Sequence, residues 1–405
     1  MELPEHGTPR DELFARMHEA KKQDADWRGG RTWSLIYPAG EEVDEVLRFA
    51  NEMYMFENAL NPLKFPSLAK MESDVVAMTT SLLNAPEGAN GSMTSGGTES
   101  ILHAVRVARD RARAERGVSD PTIVIPRSAH PAFAKGAKYF GLDVVQIPLR
   151  DDFRADVAAA EKLIDDRTAL VVGSAPGYPH GVVDPIPELA SLAASRGVPF
   201  HTDACVGGFL LPFMERAGSD VPPFDFRVPG VSTMSADVHK YGFATKGASV
   251  IVHRDGSHLR THQAFLYKDW PGGTYGSLAM AGARPAAPVA AAWAVMQFLG
   301  VDGYVKLTKQ TIDTARRIRE GFEGAGLQTL GDPIASVMAF TAPNVFAIGD
   351  QMDDRGWHLD RQHDPDALHM MVSPAHERVV DELLADLRDA VADAGESRGV
   401  EARYS

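Results

Sequence analysis

From about residue 70 to residue 255 the chain alternates short β-branched runs with helical stretches. This alternation constrains the fold more than any other feature. The runs are TIVIP (122–126), DVVQIPL (143–149), ALVVGS (169–174), VPFHTDA (198–204) and ASVIVHR (248–254). Between them lie stretches such as Thr98 to Arg116, where Ile101, Val105 and Ala108 share one helical face. Strands alternating with helices predict an α/β layer on a mostly parallel sheet.

The flanks read differently. Residues 1 to about 60 are polar and helical, an arm or an N-terminal segment of a smaller domain. An irregular stretch, WPGGTYGSLAMAGARP (270–285), precedes two long helical patterns, APVAAAWAVMQFLG and YVKLTKQTIDTARRIREGF. The remainder, from SVMAF to a helix near 375–394, reads as a small C-terminal α+β domain. The expected division is a segment 1–65, a large domain 66–300 and a small domain 301–405.

Composition narrows the function. The formal net charge is -14 and the pI about 5.5, which argues against a nucleic-acid surface, since phosphate backbones need a basic face. No apolar run reaches the ~18 residues of a membrane span. The start, MELPEHGTPRDELFARMHEA, lacks the apolar stretch of a secretion signal, so a cytoplasmic protein is expected. Cys205 is the only cysteine, so neither an intrachain disulfide nor a cysteine-based zinc cluster is possible.

Three motifs carry the chemistry. The first, GSMTSGGTES (91–100), imitates a P-loop, but Gly97 stands where that motif needs its lysine. What is left is a Ser/Gly/Gly/Thr turn opening a helix, where backbone N–H groups and the Thr98 hydroxyl can hold an anion. Taken alone it is equally a simple helix cap. The second, HTDACVGGF from His201, puts Asp203 at the end of a buried strand, where an ionised carboxylate needs a cationic partner. Cys205 faces the same side if the strand continues. The third, SADVHKYGFATKG (235–247), places Lys240 among Met234, Val238, Tyr241 and Phe243. Desolvation there is expected to lower its pKa and make the amine nucleophilic. A snorkelling surface lysine is the bland alternative. Together the three supply what pyridoxal phosphate needs: a phosphate cup, a carboxylate for the ring nitrogen and a lysine for the aldehyde.

The stretches TSGGTES, HTDACVGGF, SADVHKYGFATKG and YKDWPGGTYGS resemble the sphingosine-1-phosphate lyases, a branch of the group II pyridoxal-phosphate decarboxylase superfamily. NPLKFPSLAKMESDVVAMT (61–79), GSAPGYPHGVVDPI (173–186) and GWHLDRQHDPDALH (356–369) extend the resemblance over nearly the whole chain. It implies the aspartate aminotransferase-like fold (fold type I) and pyridoxal 5'-phosphate as cofactor. It makes Lys240 the Schiff-base lysine, Asp203 the partner of the pyridine nitrogen and His130 the ring-stacking histidine, with Cys205 on the other face. Gly97, Thr98 and His239 would hold the cofactor phosphate. Tyr37, Lys246 and Tyr275 match residues near the substrate phosphate and leaving group. Such enzymes are homodimers, and Tyr275 would come from the partner chain.

The implied reaction is carbon–carbon cleavage of a phosphorylated amino alcohol to a fatty aldehyde and phosphoethanolamine. Amino-acid decarboxylation is the alternative, and a cofactor-binding protein without catalysis the third reading. The chain departs from the branch at NPLKFPS, where a shorter loop carries Lys64 in place of a histidine. It departs again at SLAMAGARPAA, where Leu278, Ala279, Ala283, Ala286 and Ala287 replace more polar or flexible residues. On Lys246 the expectation is a cation that stays charged. His258 and His262 have i,i+4 spacing but no third ligand in view, so no metal site is expected. Arg316, Arg317 and Arg319 read as a solvated helix face.

Overall fold

The computed structural model of the protein describes residues 1–399 and residue 402. Two N-terminal helices, α1 (Arg10–Lys21) and α2 (Glu41–Met53), precede α3 (Pro66–Leu82). The alternating region follows as β1 (Asn90–Thr94), α4 (Gly97–Arg116), β2 (Thr122–Pro126), α5 (Ala132–Phe140), β3 (Asp143–Ile147), α6 (Val157–Leu163), β4 (Thr168–Ser174), α7 (Ile186–Ser195), β5 (Phe200–Asp203), α8 (Leu211–Arg216), β6 (Val231–Ala236) and β7 (Ser249–His253). Its strands form one seven-stranded sheet in the order β1-β7-β6-β5-β4-β2-β3. Only β7 runs against its neighbours; the other pairings are parallel. The α/β expectation holds.

Strand ends follow local chemistry. The run at 143–149 stops pairing at Ile147 because Pro148 has no N–H to donate. The run at 198–204 pairs only from Phe200, after Pro199, to Asp203. Two strands escape a reading by apolar runs. β1 (NGSMT) and β6 (VSTMSA) are rich in small polar residues, although both are largely buried.

Beyond the sheet, β8 (Phe265–Tyr267) and β9 (Tyr275–Ser277) form a separate hairpin. The long α9 (Ala287–Gly324) is interrupted at Gly300, whose φ of 53° and ψ of -172° are not helical. The C-terminal part is β10 (Gln328–Thr329), β11 (Val337–Thr341), α10 (Val345–Asp354), β12 (Asp360–Gln362), β13 (Ala367–Met371) and α11 (Val380–Asp393), with its strands in one antiparallel sheet.

The core has two main parts. One packs Val75, Val124, Val171, Phe200, Met234 and Val250 around the large sheet. The other packs Phe322, Phe340, Leu368 and Leu383 around the small one. Trp33, fully buried, belongs to the second; its ring stacks on His376 at 4.0 Å and lies 6.1 Å from Trp357. The chain ahead of α2 is thus tied to the C-terminal core, and this tie brings Tyr37 toward the end of the large sheet. Arg316, Arg317 and Arg319 on α9 pair with Asp313, Asp381 and Glu323 at the surface, as a solvated face should.

Candidate active site

The three motifs converge because of the sheet. β5 and β6 are parallel neighbours, with Asp203 in register with Ser235. The loop after β6 carries Asp237, His239 and Lys240, and the loop after β1 opens α4. The result is a cleft of about 430 Å³ lined by Gly97, Thr98, His130, Cys205, His239 and Lys240, with Tyr37 and Lys246 on its walls. Asp203 ends β5 beside it, 7% exposed.

Lys240 lies 3.0 Å from a carboxylate oxygen of Asp237, with side chains 18% and 1% exposed. Burial alone would lower the amine's pKa, but Asp237 overrides it and holds the ammonium well above the ordinary lysine value. The expected lowered pKa is therefore wrong for this state of the site, because a buried counter-ion sits three residues away. Burial also opposes the charge on Asp237, yet Lys240 and His239 keep that carboxyl well below the usual range. Asp237 was not singled out from the sequence. Its signal is the three-residue spacing to Lys240 within SADVHKYG.

Asp203 is held by hydrogen bonds. Its Oδ1 accepts from the Cys205 N–H at 3.1 Å and from the Ser235 hydroxyl at 3.2 Å. Lys240 does not serve as its cationic partner, being paired with Asp237. Having donated to Asp203, Ser235 must accept from His201 Nε2, 3.2 Å away, while His201 Nδ1 accepts the Thr233 hydroxyl at 2.8 Å. Burial brings the His201 pKa to about 4, so this ring is neutral and its tautomer follows from its partners. His201 and Ser235 were also overlooked, because their role depends on the register of β5 with β6.

The remaining residues surround the lysine. His130 Nδ1 accepts the Ala132 N–H at 3.1 Å, which leaves the proton of the neutral ring on Nε2. Burial is the main reason its pKa is low. Cys205 reaches the cleft from the turn after β5, since the strand ends at Asp203. Burial, with the charges of Asp203 and Asp237, pushes the thiol far up, so it is a neutral packing group. His239 Nδ1 accepts from Ala248 N–H at 3.2 Å and its Nε2 lies 3.5 Å from Asp237. Glu99, in the first turn of α4, accepts from the backbone N–H of Ser95 and of Met280, each at 2.7 Å. Burial opposes its charge, but these bonds and His103 bring its pKa to about 2. This tie anchors the 278–284 loop to the helix.

Lys246 sits at the mouth. Its Nζ donates to the His239 carbonyl at 3.0 Å and lies 4.7 Å from the centre of the Tyr37 ring. Tyr37 in turn donates to Met371 Sδ at 3.2 Å. Burial of the amine, then the charge of Lys240, lowers the Lys246 pKa to about 8. The expectation of a permanent cation is corrected accordingly. Tyr275 lies in the β8–β9 hairpin and is not among the residues lining this cleft.

The residues fit pyridoxal phosphate. A Cβ at Gly97 would stand 2.8 Å from both Asp237 Oδ2 and Cys205 Sγ, so bare backbone is required where α4 begins. The first N–H groups of that helix have no acceptor within it and suit a phosphate. Asp237 Oδ1 is buried without a hydrogen-bond partner. An amine, two buried carboxylates, a neutral imidazole and a helix N-terminus thus meet in one cleft.

Comparison with known proteins agrees. Residues 45–330 match the pyridoxal-dependent decarboxylase conserved domain. A sphingosine-1-phosphate lyase of Arabidopsis thaliana is 42% identical over 391 residues, covering 94% of this chain and 72% of that protein. Sphingosine-1-phosphate lyase 1 of Rattus norvegicus is 41% identical over 395 residues, covering 96% of this chain and 69% of that protein. Among solved structures, a sphingosine-1-phosphate lyase of Burkholderia pseudomallei superposes with a TM-score of 0.93 at 39% identity, over 97% of this chain and 93% of that one. Lactobacillus brevis glutamate decarboxylase shares the fold, with a TM-score of 0.85 at 21% identity over 99% of this chain and 96% of that one.

Proposed function

The chain belongs to the sphingosine-1-phosphate lyase family of pyridoxal-phosphate-dependent enzymes, and on that premise we propose that it cleaves a phosphorylated long-chain amino alcohol at Cα–Cβ. The products are a fatty aldehyde and phosphoethanolamine. The observation that carries this reading is the pairing of two differently placed lysines in one cleft. Lys240 is ion-paired to a buried carboxylate, and Lys246 is held at the mouth over Tyr37.

Pyridoxal phosphate, when bound, supplies an electron-withdrawing ring that stabilises negative charge at the substrate's Cα. In our assignment Lys240 is the residue that would hold it, through the Nζ that Asp237 now keeps protonated. Asp203, fixed by Ser235 and the Cys205 N–H, would be the carboxylate that partners the pyridine nitrogen. His130 and Cys205, which line the same cleft, would pack on the two ring faces. Gly97, Thr98 and His239 hold the cofactor phosphate. Lys240 Nζ and His130 Nε2 are the groups placed to carry protons between substrate atoms. Lys246 and Tyr37 bind the substrate phosphate, and the exposed Leu35 at the same mouth offers apolar contact to the chain.

We place Tyr275 in the active site of a partner copy, which makes the protein a homodimer. The support is its position on a hairpin with exposed Phe265, Leu266, Tyr267 and Trp270. We also propose the division into 1–65, 66–300 and 301–405, and a cytoplasmic location. Among the described residues no helix is long and apolar enough to cross a membrane.

The test is product identity. Protein loaded with pyridoxal phosphate should release a long-chain aldehyde from a phosphorylated sphingoid base. Carbon dioxide from free amino acids, with no aldehyde from the phosphorylated base, would replace this reading with a decarboxylase.

A further inference from the structure

A second cluster lies outside the cleft, at the far end of the helix whose first turn forms the phosphate cup. Glu115 sits in the last turn of α4. Arg111, one turn earlier, grips its carboxylate in a fork, at 3.0 Å and 3.1 Å. Facing it is a π-helical turn, Leu259–Gln263, capped by His258 and carrying His262. π turns are rare and recur at functional sites. The two imidazoles have ring centres 5.5 Å apart, and His262 Nε2 lies 3.7 Å from Glu115 Oε1. One potential ligand atom from each of Glu115, His258 and His262 lies within 4.8 Å of the other two.

These distances suit a metal ion. Zinc binds imidazole nitrogen and carboxylate oxygen at about 2.1 Å, and tetrahedral angles then put neighbouring donor atoms roughly 3.4 Å apart. The Glu115–His262 pair is nearly at that spacing. The rest closes by side-chain rotation, because the three residues are partly or fully exposed. His258 Nδ1 is buried and lacks a hydrogen-bond partner, and its Nε2 lies 3.8 Å from Asp255. Arg111 opposes a cation by its charge, but it also fixes the carboxylate, as outer-shell partners of metal ligands do.

We propose that Glu115, His258 and His262 bind a divalent transition ion, zinc or one of similar ligand preference, which ties the end of α4 to the segment entering the β8–β9 hairpin. Two imidazoles and one carboxylate favour such an ion over magnesium or calcium, which prefer all-oxygen sites. The fourth position is left to water.

The test uses the cofactor-loaded enzyme, stripped of metal by chelator and desalted. Zinc chloride should bind at about one ion per chain and raise the melting temperature by about 2 °C or more at saturation. Magnesium chloride at equal concentration should do neither. The double variant His258→Ala/His262→Ala should lose at least about tenfold in zinc affinity while keeping the visible cofactor absorbance, which reports an intact fold. Glu115→Gln should weaken zinc less, since both imidazoles are still present. Absence of bound zinc in the native enzyme overturns the proposal. So does equal zinc binding by the folded double variant.

Discussion

Lys240 and Lys246 are six residues apart, yet they stand in opposite surroundings. At the cofactor end, Lys240 is mostly buried and neutralised by Asp237 at 3.0 Å. At the mouth, Lys246 is solvent-exposed and forms no ion pair among the described residues; it rests on the His239 carbonyl and the Tyr37 ring. The pKa values move in opposite directions for this reason. A counter-ion raises one, while desolvation beside another cation lowers the other to about 8. The contrast teaches that burial alone does not decide a lysine's charge; a carboxylate in contact can override it. In our proposal the paired cation holds the cofactor and the one without a counter-ion meets the substrate phosphate.

The contrast can be broken at several points. The largest effect is expected from Lys240→Ala, which should abolish the visible absorbance of lysine-bound cofactor. Its kcat for aldehyde release should fall by about 10³-fold or more. A variant that keeps the band would show that another group anchors the cofactor. Next, Asp237→Asn leaves the Lys240 charge buried and unpaired. It should destabilise the cofactor-free protein by about 3 kcal/mol in urea denaturation. An unchanged midpoint would mean that the ion pair is not what holds the ammonium.

A smaller effect concerns pH. Lys246 loses its proton as pH rises through about 8, so the charged form, which we propose binds phosphate, is the low-pH form. The kcat/KM for a phosphorylated substrate should therefore fall above that pH, approaching about tenfold one unit higher. Lys246→Arg keeps its charge and should remove this decline. A decline that persists in the arginine variant would assign the titration to another group.

Much of this was legible in the sequence, and the exceptions have physical causes. The runs at 122–126 and 169–174 were visible because strands buried on both faces show as continuous apolar runs, and the helix from Thr98 because its apolar side chains repeat along one face. β1 and β6 were not, since NGSMT and VSTMSA are buried through small polar groups that find side-chain partners; Thr233 of β6 and His201 of β5, for example, meet at 2.8 Å. Lys240, Asp203 and the glycine turn stood out because three cofactor-binding features in order are improbable by chance. Asp237 did not, because an acidic residue near a lysine is common, and only the fold shows that it is 2% exposed. Likewise His258 and His262 lacked a third ligand until the end of α4 brought Glu115, 143 positions before His258, against them.

The central claim is that the two lysines divide the work, one for the cofactor and one for the substrate phosphate. It is tested most directly by Lys246→Ala, comparing kcat/KM for a phosphorylated amino alcohol with that for its unphosphorylated counterpart of equal chain length. The account predicts that the preference for the phosphorylated compound drops by about tenfold or more, the worth of a charge-assisted hydrogen bond. The visible cofactor band should stay intact. An equal loss for both compounds, or loss of the band, would contradict it.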